Sequence, residues 1–224
     1  MKKSQLLTQA LIKYIAGILL VSLLLFLPAG TLSYPGAWLF MALLFVPMFF
    51  LGLALFLKAP ELLEKRLQSK EKESAQKSAV AWSALLFLAG FILAGLDHRF
   101  GWSHLPLPVV IGASVLLLIS YRLYAEVMRE NAYLSRTVEI QQGQKVIDTG
   151  LYAVVRHPMY AAVILLFLSI PLVLGSLVSF CLFLLFPLVL AKRIKNEEAV
   201  LAEGLEGYRD YQNKVKYRMI PFIW

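Results

Sequence analysis

The chain has 224 residues, 59% of them hydrophobic and only 16% charged, with a mean hydropathy of +0.70. Soluble domains carry about a quarter charged residues, so this is the composition of an integral membrane protein with small additions outside the bilayer. The lone cysteine, Cys181, lies in an apolar run, which excludes an intramolecular disulfide, and no Cys/His cluster points to a metal.

A spanning helix needs about 20 mostly apolar residues, and six segments approach that length. The first four run over Leu11–Leu27, Ala37–Leu57, Val80–Leu96 and Leu107–Tyr124. The first ends at Pro28. A signal peptide with Lys2 and Lys3 as its n-region is the alternative there. No A-x-A site follows Leu27 and Lys13 sits close to the apolar run, so a retained anchor is expected. The fifth and sixth segments, Met159–Leu174 and Leu177–Leu190, are short and separated only by Gly175-Ser176, which predicts a tight helical hairpin. The expected fold is therefore all-α, a polytopic helical bundle of about six spans. Residues 1–125 form an N-terminal membrane part, and residues 126–224 carry the chemistry.

Charge sets the expected topology. With six spans and the N-terminus inside, 21 of the 22 Lys and Arg fall on the inner side and only Arg99 outside. The positive charge thus reads as an orientation and anionic-lipid signal, not as a nucleic-acid footprint. Both termini are expected on the cytoplasmic face of the inner or plasma membrane. Between the second and third spans, Lys58–Lys77 mixes both signs and predicts a solvated connecting helix. After the fourth span, Gly143 and Gly150 punctuate a longer segment, and Thr137-Val138-Glu139-Ile140 alternates like a short extended piece. At the C-terminus, Glu197, Leu201, Leu205, Tyr208, Tyr211 and Val215 recur at helical spacing and predict an amphipathic helix, weakened by Gly204 and Gly207.

Two clusters on the inner face are candidates for chemistry. One is Gly150–Tyr160, which holds Tyr152, Arg156, His157 and Tyr160; polar groups at the mouth of a membrane helix are expensive and suggest function. The other holds Arg193, Glu197 and Glu198. The hairpin goes out and comes back, so its two ends, and hence these clusters, must lie near each other. Singly, each residue has a plain structural reading: Arg snorkels, Tyr decorates the interface, and Pro starts a helix. Together they point to a site.

The motif Gly150-Leu151-Tyr152 with Arg156-His157-Pro158-Met159-Tyr160 resembles the GxYxxxRHPxY signature of the isoprenylcysteine carboxyl methyltransferase family, which related phospholipid N-methyltransferases share. Arg193, Glu197-Glu198, Leu201, Gly207-Tyr208, Tyr211, Val215 and Pro221-Phe222-Ile223 resemble that family's tail. The resemblance spans roughly Asn131–Trp224. It departs at Ala161-Ala162, where the family often has glycine; small residues keep close packing possible there.

The resemblance implies S-adenosylmethionine as methyl donor and a lipid-like or lipidated acceptor reaching the site from the bilayer. By motif position it implies cofactor contacts from Tyr152, Arg156, His157, Pro158, Met159, Tyr160 and Glu197, with backbone contacts from Gln144, Lys145, Val146 and Ile147. Arg193 would address the acceptor. Arg193, Glu197, Glu198 and His157 are the candidate catalytic groups, with His157 or Glu198 as base if the acceptor is an amine. The alternatives are a phospholipid N-methyltransferase, an NADPH-dependent enzyme of the sterol-reductase type, and a non-enzymatic membrane module. Transport is disfavoured because spans one to four offer no ionisable interior residue.

Overall fold

The computed structural model describes residues 3–67, 74–134 and 140–224. Within them every regular element is helical, and the alternating piece expected at Thr137–Ile140 lies largely outside the described residues. Five helices are long and apolar enough to cross a bilayer. Four form the N-terminal part: α1 (Lys3–Ala29), α2 (Pro35–Lys58), α4 (Ser74–Phe100) and α5 (Leu107–Glu130). Each extends beyond its apolar stretch, because helix propagation continues through the flanking polar residues until a cap or proline intervenes.

The short helix α3 (Pro60–Leu67) lies between α2 and α4. It was expected to be solvated, yet Leu62 and Leu63 are buried. Leu62 packs in a cluster with Val127, Met128, Leu134 and Tyr152, so α3 is amphipathic and docked.

The hairpin is asymmetric. Its first arm, α6 (Pro158–Val173), has 16 residues and reaches only about 24 Å at 1.5 Å per residue, short of the roughly 30 Å hydrocarbon core. Its second arm does not stop at Leu190. α7 (Leu177–Phe183) breaks at Leu184-Leu185, and α8 (Phe186–Gly204) carries the segment on past the bilayer stretch. Gly175, at φ 80°, makes the turn between the arms. The predicted weakness near Gly204 is a real break. α8 ends at Gly204, and α9 (Tyr208–Lys214) restarts after Gly207, whose φ is 78°.

Packing follows small residues. α6 lies along α5, and α1 lies along α4. A Cβ on Gly95 would come within 2.6 Å of the Leu25 carbonyl oxygen, so α1 and α4 touch backbone to backbone. The main core gathers Phe40, Phe91, Phe183 and Phe186 between α2, α4 and the hairpin.

At the hairpin turn, Asp97 is almost fully buried. Oδ1 accepts the Ser103 N–H at 2.7 Å, and Oδ2 accepts the Ser103 hydroxyl at 2.7 Å and the Ser176 hydroxyl. Ser176 in turn caps α7 by accepting the Ser179 N–H at 3.0 Å. The Tyr34 hydroxyl donates to the Leu174 carbonyl at 2.8 Å, tying the start of α2 to the same turn.

Candidate functional site

The start of α6 is set by local chemistry. Pro158 occupies its first turn, where no backbone N–H is required and φ is already helical. His157 lies just ahead, and both it and Arg156 bond the C-terminal tail through their backbones: Arg156 N–H to the Tyr217 carbonyl at 2.9 Å, His157 N–H to the Arg218 carbonyl at 2.7 Å. Upstream, Gly150 adopts φ 55° against Glu130, so close that a Cβ would collide with its carboxylate. Glu130 accepts the Leu151 N–H at 2.9 Å and fixes the single 3-10 turn Gly150–Ala153 that presents Tyr152.

Glu198 is the anchor of this mouth. It is buried, as are Arg156 and His157. Oε1 accepts from Arg156 Nε at 2.7 Å and lies 3.2 Å from His157 Nε2, while Oε2 accepts from Arg218 Nε at 2.8 Å. An ionised carboxylate is acceptor-only, so His157 Nε2 carries the proton in this contact. Arg156 Nη1 donates further to the Val215 carbonyl at 2.6 Å and the Lys216 carbonyl at 3.0 Å. One buried acid thereby joins α6, α8 and the tail.

A second chain of bonds runs one helical position away. Arg193 Nε donates to the Tyr160 hydroxyl at 2.9 Å, and that hydroxyl donates to Glu197 Oε2 at 2.6 Å. Arg193 and Glu197 are four residues apart on α8 and share a face. Thus the hairpin does bring together the two clusters that the sequence placed at its ends.

Between these groups is an open-mouthed cavity of about 100 Å³. Of the residues expected at the site, Gln144, Lys145, Val146, Ile147, Tyr152, Arg156, His157, Met159, Tyr160, Arg193 and Glu197 line it. Pro158 and Glu198 do not line it; they stand behind the wall. The remaining lining comes from Asn131, Tyr133 and Leu134 on one side and from Leu201, Leu205, Tyr208 and Tyr211 on the other. The latter four lie on the amphipathic face read from the sequence, but that face alone did not mark them as site residues. Arg218 carried no signal at all: its role depends on the tail folding back onto Glu198.

The aromatic walls are held in place. Asn131 Nδ2 donates to the Tyr152 hydroxyl at 2.9 Å, and the Tyr211 hydroxyl donates to the Tyr152 carbonyl at 2.7 Å. Burial pushes the phenols of Tyr152, Tyr208 and Tyr211 well above the usual tyrosine range, with the negative charge of Glu198 adding to the effect at Tyr208. The Tyr208 hydroxyl is buried and has no hydrogen-bond partner among the described residues. Outside the cavity, Lys214 pairs with Asp148 at 2.7 Å, fastening α9 to the 140–149 loop and lowering the Asp148 pKa.

Residues 110–203 match the model of the isoprenylcysteine carboxyl methyltransferase (ICMT) family. The chain is also 35% identical, over 92 residues, to the uncharacterized protein YpbQ of Bacillus subtilis (strain 168). That match covers 41% of this chain and 55% of the relative, so the chain spans only about half of that protein's length. Among solved structures, the eukaryotic intramembrane Ras methyltransferase ICMT superimposes with a TM-score of 0.58 at 19% identity, covering 96% of this chain and 77% of that one. The last likeness is one of fold.

Proposed function

We propose that this membrane protein belongs to the isoprenylcysteine carboxyl methyltransferase family, a reading supported by the match over residues 110–203 and by the shared fold, and that it transfers a methyl group from S-adenosylmethionine to a carboxylate on a lipid-like or lipidated acceptor. The observation that carries this reading is the composition of the cavity wall. It combines aromatic faces, the Glu197 carboxylate, the guanidinium groups of Arg156 and Arg193, the latter joined to Glu197 through the Tyr160 hydroxyl, and a buried Tyr208 hydroxyl with no partner among the described residues.

The donor set fits that cofactor. A buried hydroxyl without a partner costs about 1–3 kcal/mol, a cost that a polar ligand atom removes. Tyr152 and Tyr160 offer ring faces to a sulfonium cation. Glu197 suits an amino group or ribose hydroxyls, and the loop 144–147 offers backbone groups to the adenosine. When bound, S-adenosylmethionine supplies an already activated methyl carbon open to in-line displacement.

The chain's own residues then work by placement. Arg193 lies at the cavity wall and binds an acceptor carboxylate, for which a guanidinium is geometrically matched. Tyr160 fixes Arg193 relative to Glu197, so the acceptor and donor subsites keep one spacing. From α9, Tyr208 and Tyr211 contribute to the cavity wall and narrow the access of water. A carboxylate acceptor arrives ionised and needs no base. Glu198 holds His157 and Arg156 in position without facing the cavity, which makes it a positioning residue. The distribution of basic residues supports a cytoplasmic site and cytoplasmic termini, where the methyl donor is available.

Two measurements test the reading. S-adenosylmethionine should raise the melting temperature of the purified protein, and Glu197→Ala should abolish that rise; protection that persists in the variant removes Glu197 from the site. Incubating membranes with isotopically labelled S-adenosylmethionine, followed by mass spectrometry of lipids and proteins, should reveal a base-labile methyl ester. Label in an amine headgroup instead would make this an N-methyltransferase.

A further inference from the structure

A second concavity, distinct from the candidate active site, lies where α1, α2 and α3 meet. It holds about 340 Å³ and is lined chiefly by apolar side chains, among them Leu11, Met48 and Phe49. Gly52 lies in its wall, and a Cβ there would meet nothing within 4 Å, so the groove is open at its centre. Leu53 and Phe49 are exposed on its flank, which opens the groove sideways toward the acyl chains of a bilayer.

Among the described residues, its charged groups are of one sign. Lys13 and Arg66 line the groove, while the acidic residues of α3, Glu61 and Glu64, do not. Lys13 bonds the Leu67 carbonyl and keeps further N–H donors. Arg66 stacks over the Tyr124 ring at 5.4 Å and donates Nη2 to the Tyr124 hydroxyl, yet its Nη1 is buried with no partner among the described residues. That nitrogen has almost no exposed surface, so an anion in the groove acts on Arg66 through its charge and not by bonding that atom.

We propose that this groove binds one anionic membrane phospholipid, with an acyl chain along Gly52 and its phosphate at Lys13 and Arg66. Cationic pockets between membrane helices select acidic headgroups in this way. The site goes beyond the methyl-transfer reading. It also touches it: Arg66 and Leu62 lie on the same short helix, and Leu62 packs in the cluster that holds Tyr152, so a bound lipid braces one wall of the candidate active site.

The test uses the full chain, delipidated in detergent, offered equal phosphatidylglycerol and phosphatidylcholine, and examined by native mass spectrometry. One phosphatidylglycerol should be retained in preference. At about 1 kcal/mol per cation, Arg66→Gln and Lys13→Gln should each reduce that preference about fivefold. Lys58→Gln removes the same charge from the exposed end of α2 outside the groove and should change nothing. Gly52→Phe fills the groove and should prevent retention of the lipid while leaving all charges in place. Several outcomes overturn the proposal: equal retention of both lipids, a Lys58→Gln effect as large as that of Arg66→Gln, or displacement by glycerol phosphate alone. So does a dimer that Gly52→Phe dissociates, since the occupant would then be a second copy. If Gly52→Phe instead blocks methyl transfer while phosphatidylglycerol is never retained, the occupant is the acceptor and the proposal also fails.

Discussion

Glu198 and Asp97 are both buried carboxylates, and they sit at opposite ends of α6. Glu198 is surrounded by two guanidinium groups and an imidazole, and it stands directly behind a cavity. Asp97 is satisfied by two serine hydroxyls and a backbone N–H at a tight turn, and it lines neither of the two concavities described above. The difference teaches how to separate a site support from a structural latch. Hydroxyls can turn to donate or accept, so a latch built on them tolerates a change of partner. Guanidinium groups only donate, so a cluster built on them fixes its geometry and demands the anion.

The neutral isosteres expose this contrast, and the largest effect belongs to Glu198. Glu198→Gln sets an amide N–H₂ against Arg and His donors and leaves the buried Arg156 guanidinium uncompensated. A loss of about 3–5 kcal/mol is expected, read by denaturation in detergent, together with release of the tail to proteolysis. Asp97→Asn, in contrast, keeps one acceptor for the Ser103 N–H while both hydroxyls rotate to accept. A change below about 1.5 kcal/mol, with methyl transfer intact, is the expected result; an equal loss in the two variants would dissolve the distinction.

A smaller effect of opposite sign is expected at Tyr208. Tyr208→Phe deletes a hydroxyl that has no partner among the described residues, so the unliganded protein should gain up to about 1 kcal/mol. Affinity for S-adenosylmethionine should nevertheless fall severalfold, measured by calorimetry. A variant both less stable and equally tight would mean that the hydroxyl serves the fold alone.

The smallest effect concerns alkaline pH. The phenols of Tyr152, Tyr208 and Tyr211 have folded pKa values raised above the free value of 10.0. Their contribution is therefore fully present below pH 10 and is lost as pH rises beyond it. The melting temperature should hold level up to about pH 10 and then decline, and simultaneous Phe substitution at the three positions should flatten that decline. A decline that begins well below pH 10 would point to other groups.

Much of this was legible in the sequence. Apolar runs of bilayer length give spanning helices whatever their neighbours, because an unsatisfied backbone in hydrocarbon is prohibitive. The Gly175-Ser176 break gave the hairpin, and the hairpin alone implied that Tyr160 and Arg193 would meet. Other features were hidden. Asp97 lies one residue beyond the apolar run ending at Leu96, and nothing local distinguishes a buried aspartate from an exposed one. The docked face of α3 was masked by its charges, and Arg218 had no pattern to betray it.

The sequence by itself determined the membrane class, the helical hairpin and the identity of most groups around the cavity, because these depend on hydrophobic length and on motif spacing along one chain. Only the tertiary structure decided which of two adjacent acids faces the cavity. Glu197 and Glu198 are chemically identical and differ by about 100° around the helix, so their roles depend on what packs against each side of α8. Tyr160 and the cavity occupy one side; Arg156, His157 and the returning tail occupy the other.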